Sequence, residues 1–191
     1  MNSLIKKLSI RHGLLIGGIS AALTIVFYII NPVLQYTSLL VGLLSIVIMI
    51  ALLVILGLDI RRKTGGYWNF GQAYLSLLIM SVLICLISIV ISFVIFKFVD
   101  PSLPQKVTDA TLQVTTQRLE SMGMDQDKID EATKSFTDGE MLAKFQPTFF
   151  NEIKNFGIGV LIYAVINLII AACIKKNPPM FASVTDAEVI E

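Results

Sequence analysis

The chain has 191 residues, of which 55% are hydrophobic and 15% charged, whereas soluble domains carry about 25% charged residues. This balance excludes an ordinary water-soluble domain and points to a single polytopic unit. The formal net charge of +1 excludes a broadly basic nucleic-acid surface, so the informative electrostatic feature is where the charges fall along the chain.

Four runs contain no Asp, Glu, Lys, Arg or His: Leu14–Ile30, Thr37–Leu58, Ala73–Phe96 and Phe156–Ile174. About 20 apolar residues rising about 1.5 Å each match a hydrocarbon core of about 30 Å. The expected fold class is therefore an all-α integral membrane protein with four transmembrane helices. Lys6, Lys7 and Arg11 before the first run also suit a secretory signal. However, its small residues, Ser20, Ala21 and Ala22, lie mid-run, and the apolar stretch continues to Asn31–Pro32, so the segment is kept as a span.

The first connection, Asn31–Tyr36, is short and uncharged, which makes spans one and two an antiparallel hairpin and hence neighbours. The second, Asp59–Gln72, carries Arg61, Arg62 and Lys63, then Gly65–Gly66, then Tyr67, Trp68 and Phe70. Basic residues beside a span end read as cytoplasmic, and the aromatics are expected to float at headgroup level. With the N-terminus inside, Lys6, Lys7, Arg11, Arg61, Arg62, Lys63, Lys175 and Lys176 all lie inside. The seven basic residues of 97–155 lie outside, spread along a long segment where they count less. Both termini are thus expected in the cytoplasm.

Residues 97–155 form the sizeable extramembrane part of a membrane domain spanning 1–174. Pro101 and Pro104 end the third span and open a helix with Leu103, Val107, Ala110 and Val114 on one face, followed by Leu119 and Met122. Gly123 reads as a left-handed cap. Asp125 caps a second helix with Ile129, Ala132, Thr133 and Phe136 on one side, Asp138–Gly139 is a turn, and Pro147 marks the approach to the fourth span. The expectation is a helical hairpin standing on the membrane. After Lys175, Lys176 and Pro178–Pro179, residues 175–191 read as a disordered, acidic cytoplasmic tail.

Several patterns invite chemistry. Gly13, Gly17 and Ala21, with Gly18 and Ala22 beside them, form a small-residue row that lets helices approach, within the chain or in a homodimer. Ser81, Cys85, Ser88 and Ser92 make a weakly polar stripe on the third span. Lacking any charged or titratable partner in the run, it reads as packing, with serines bonding their own i−4 carbonyls, rather than as a solute path. Asn167 is expected to bond across helices to a serine or a carbonyl. Cys85 and Cys173 read as packing residues, and His12 as a solvated interface residue. The acidic run at Asp125 fails as a calcium loop because Ile129 stands at the fifth position and Asp130 at the sixth. No catalytic, cofactor-binding or metal-ligating residue is therefore singled out, no cofactor is expected, and an enzyme is disfavoured.

The run Gly65-Gly66-Tyr67-Trp68-Asn69-Phe70-Gly71-Gln72-Ala73-Tyr74 stands between spans two and three. Met122-Gly123-Met124 leads an acidic run in the insert, and Lys175-Lys176 precedes Pro178. Together with the four-span order, over about residues 8 to 179, this resembles the bacterial domain-of-unknown-function family 4199. The resemblance implies a member of a mainly Bacteroidota family in a bacterial inner membrane, with the 97–155 insert periplasmic. It brings no assigned activity or site residue. The reading is an accessory, assembly or structural subunit acting through protein–protein interaction, in contact with the lipid bilayer and with a membrane-protein partner or its own copies. Nucleic acid and small-molecule ligands are not expected. A small oligomeric transporter or channel component and a membrane sensor using the hairpin are the alternatives.

Overall fold

The computed structural model describes residues 3–177. The expected disorder of the tail beyond residue 177 lies outside the described residues. The helices are α1 (Ser3–Ile30), α2 (Leu34–Thr37), α3 (Leu39–Lys63), α4 (Phe70–Val94), a π-helical extension (Ile95–Val99), α5 (Leu103–Ser121), α6 (Gln126–Thr137), α7 (Glu140–Phe145) and α8 (Phe149–Ile174). Four of them are long and apolar enough to cross a membrane: α1, α3, α4 with its extension, and α8.

The spans start where side-chain caps are available. Val41 donates its amide to Ser38, Gln72 to Asn69 and Asn151 to Thr148, satisfying orphan donors at the starts of α3, α4 and α8. Charge-free runs therefore mark the hydrocarbon section of each helix rather than its ends. Thus α1 begins at Ser3 instead of Leu14, and α8 at Phe149 instead of Phe156.

The bundle pivots on α4, which packs most extensively on α1 and then on α8. The first span does touch the second, as its short connection requires, but its main partner is the third. Glycine explains that preference. A Cβ at Gly13 would lie 3.0 Å from the Met80 Cα, and one at Gly17 would lie 2.4 Å from Ile87 Cδ1. The small-residue row thus serves the chain's own α1–α4 contact, where close backbones gain dispersion that lipid cannot supply. Gly18, one position on, faces open space.

The main core lies at the end of the bundle where α1 begins and α8 ends. Ile16, Leu53, Ile60, Leu77, Met80 and Ala171 are buried there. Toward the other end α3 stands away from its neighbours, leaving Leu40 at 78% and Val47 at 61% exposure, as expected of a lipid-facing surface. A second, smaller core of Ile95, Phe96, Leu103 and Val107 closes that end, with Tyr28, Val33 and Phe145 against it.

The insert is laid over the bundle instead of standing on it. Leu103 and Val107 of α5 are buried in the second core, and 15 residues after Leu103 the Arg118 guanidinium donates to the Thr37 carbonyl at 3.2 Å. Helix α5 is 19 residues long, about 28 Å at about 1.5 Å per residue, enough to run from the end of the third span to the start of the second. Ala110 and Val114 on its face are half-buried; Gly123 takes φ +74° after it, as expected of a left-handed cap. In α6, Ile129 and Thr133 are buried, but Ala132 is exposed. Asp125 occupies the cap position without a side-chain capping bond. The insert holds a third helix, α7, which the hairpin expectation lacked; its Phe145 meets Tyr36 edge-on at 5.9 Å between ring centres.

Candidate functional site

Polar side chains gather at three depths. At the end where α1 begins, His12 Nε2 lies 2.8 Å from Asp59 Oδ2, and Lys63 Nζ lies 2.7 Å from the same oxygen. The expectation of a solvated His12 is therefore corrected: its residue exposure is 7%. The cause is the longer α1. Ile5, Ser9, His12 and Ile16 recur at 4-3-4 spacing and form the face turned into the bundle, so His12 follows the buried row.

The aromatic loop is corrected in the same region. Tyr67 and Phe70 are exposed, but Trp68 is fully buried, and a Cβ at Gly57 would lie 3.8 Å from its ring. Its backbone exchanges two hydrogen bonds with Lys176, at 2.7 and 2.8 Å, which fastens the α3–α4 loop to the chain just after α8. Arg61 donates to the Ile174 carbonyl at 2.8 Å and reinforces the joint. Positive φ at Gly65 (96°) and Gly66 (80°) provides the turn that brings Trp68 back inward.

At mid-depth, Asn167 Nδ2 donates to Ser81 Oγ at 2.9 Å between α8 and α4, both residues fully buried. This is the cross-helix bond expected of Asn167. Ser88 likewise meets Ser20 of α1 at 3.3 Å, so these two members of the serine stripe tie helices together instead of bonding their own turns. The i−4 habit is real elsewhere, at Ser9 and Ser45. Cys85 is buried, with its sulfur 3.3 Å from where a Cβ of Gly159 would stand, and Cys173 is exposed.

The third site is a cleft between α4 and the first turns of α8. An apolar groove of about 360 Å³ is walled by Leu86, Ile89, Val90, Phe93, Phe149 and Ile153, with Glu152 as its charged residue. Beside it, a cavity of about 210 Å³ is lined by Tyr36, Ser88, Ser92, Lys144, Glu152 and Asn155; Ile89 and Glu152 belong to both. Burial, and secondarily the Glu152 charge, push the Tyr36 pKa up to about 12, so the phenol, a donor at neutral pH in any case, stays one under alkaline conditions. Chemically the cleft offers a long apolar wall ending in one carboxylate, one ammonium and several hydroxyls. That suits binding an amphiphile better than activating a nucleophile. Among the described residues, no group of three or more His, Cys, Asp or Glu side chains is placed to hold a metal ion.

None of Tyr36, Lys144 and Glu152 was singled out from the sequence. Glu152 lies just before the uncharged fourth run, and the three line one cavity where the Tyr36 ring meets Phe96 of the π-helical extension and Phe145 of α7.

Four membrane-length helices joined by buried cross-helix polar contacts define a multi-pass membrane protein. The family described as "Protein of unknown function (DUF4199)" matches residues 11–176, and the chain belongs to it. No curated protein and no solved structure matches the chain.

Proposed function

We propose that this is a non-enzymatic membrane protein that acts through protein–protein interaction, as an accessory, assembly or structural subunit. The observation that carries this reading is the turn between α5 and α6. Met122 is 73% and Met124 43% exposed there, while Leu103, Val107 and Ile129 of the same insert are buried. Flexible, polarizable methionines presented at the tip of an extramembrane element suit an adaptable contact with another protein. Partner and self-association are both compatible with such a tip.

Charge placement supports an orientation. Arg61, Arg62, Lys63, Lys175 and Lys176 crowd one side of the bundle beside the span ends, which under the positive-inside rule supports a cytoplasmic placing of that side, and the family resemblance implies a bacterial inner membrane. Both termini are then cytoplasmic and residues 97–155 periplasmic.

A photo-crosslinking amino acid at position 122, tested in cells, checks the interaction. The reading predicts one recurrent cross-linked protein, absent when the probe is moved to the buried position 107. Recovery of the uncross-linked chain alone, in repeated preparations, contradicts it.

A further inference from the structure

We propose that the cleft between α4 and α8 binds one phospholipid with a primary-amine zwitterionic headgroup: the ammonium on Glu152, the phosphate on Lys144, and one acyl chain in the groove walled by Val90, Phe93 and Phe149. This site is independent of the methionine tip.

The groove is open to the surroundings of the bundle, with Phe149 81%, Ile153 53% and Val90 58% exposed, so a lipid tail enters it sideways. Bulk lipid would cover any apolar face equally well. What distinguishes this one is the adjoining cavity, which shares Glu152 with the groove and is also lined by Lys144. Glu152 and Lys144 line the same cavity, yet neither is ion-paired with the other or with any other described residue. A carboxylate set beside hydrocarbon without a countercharge is unfavourable. An occupant that meets both charges must itself carry a cation and an anion next to a hydrocarbon chain, and a zwitterionic phospholipid does so.

The donor set narrows the headgroup further. A primary ammonium donates up to three hydrogen bonds to a carboxylate and neighbouring hydroxyls such as those of Ser88 and Ser92, whereas a quaternary ammonium donates none. A phosphatidylglycerol headgroup could satisfy Lys144 but would bring only negative charge to Glu152.

Native mass spectrometry of the full chain in mild detergent, after delipidation and titration with phosphatidylethanolamine, phosphatidylcholine or phosphatidylglycerol, tests the proposal. One phosphatidylethanolamine per chain is expected, bound about tenfold more tightly than phosphatidylglycerol, as one charge-assisted contact implies. Glu152→Gln should narrow that preference, and Lys144→Ala should weaken phosphatidylethanolamine binding by about tenfold. Lys144 is exposed on a short helix, so its variant decides the matter even if Gln at 152 impairs folding. Equal affinity for the lipids, unchanged binding in Lys144→Ala, or a second copy of the chain cross-linking through Phe149 in place of lipid would each overturn it.

Discussion

His12 of α1 and Asp59 of α3 are in contact at 2.8 Å, 47 residues apart in sequence. Because α3 otherwise packs lightly on the bundle and leaves its first half exposed, this contact pins the second span to the first at one end. A double-mutant cycle of His12→Ala and Asp59→Ala, followed by unfolding in detergent, should give a coupling energy of about 1 kcal/mol, a charge-linked hydrogen bond weakened by the exposure of Asp59. Additive single-variant effects would show that the pair contributes nothing.

The glycine row makes a graded prediction. Gly13→Ala places a methyl against the α4 backbone at Met80 and should destabilise the chain by about 1–3 kcal/mol. Gly17→Ala meets the far end of the Ile87 side chain, which can swing aside, and should cost less; Gly18→Ala should be neutral. The midpoints of thermal aggregation in one detergent rank the three.

Removing the Ser81 hydroxyl leaves the buried Asn167 amide without its one partner, because Asn167 Oδ1 is already unpartnered. Ser81→Ala should cost about 1 kcal/mol, the scale of such bonds in membrane bundles. Asn167→Leu combined with Ser81→Ala should be less harmful than the sum of the two single changes. Chemical unfolding of the four proteins reads this out.

Lys106, followed by Ser102, holds the Asp100 carboxyl below its ordinary value of 3.8 at the start of the insert. A carboxylate depressed on folding adds stability that is full above its unfolded pKa and is lost as pH falls through the folded one. The contact should therefore help hold α5 in place at neutral pH and fail below about pH 3.8. Limited proteolysis between Asp100 and Ser121 should rise in that acid range in the wild type. Lys106→Met should be cut more readily already at neutral pH, and its rise toward acid should be smaller.

The four spans were legible because lipid imposes a severe rule: a helix that meets hydrocarbon carries no charge over about 20 residues. Helix ends obey different physics, so Ser3–Gly13 and Phe149–Asn155 went unread as helix, and with them the burial of His12 and the placing of Glu152. Extending the 4-3-4 row from Ile16 back through His12, Ser9 and Ile5 would have found the first. Trp68 shows a different limit. A tryptophan beside a glycine pair at a span end suits an interfacial ring, and only the pairing with Lys176, 108 residues away, turns it into the core. Asn167 was readable because an amide in hydrocarbon must find a partner, while the identity of the partner, Ser81, depended on how α8 leans on α4.

Four helices crossing the bilayer put the insert and the α3–α4 loop on opposite sides. Single cysteines at positions 62 and 120, in a chain with Cys85→Ala and Cys173→Ala, can be labelled in intact cells with a membrane-impermeant maleimide before and after permeabilisation. Position 120 should react in intact cells and position 62 only after permeabilisation. Equal labelling of both in intact cells would contradict this arrangement.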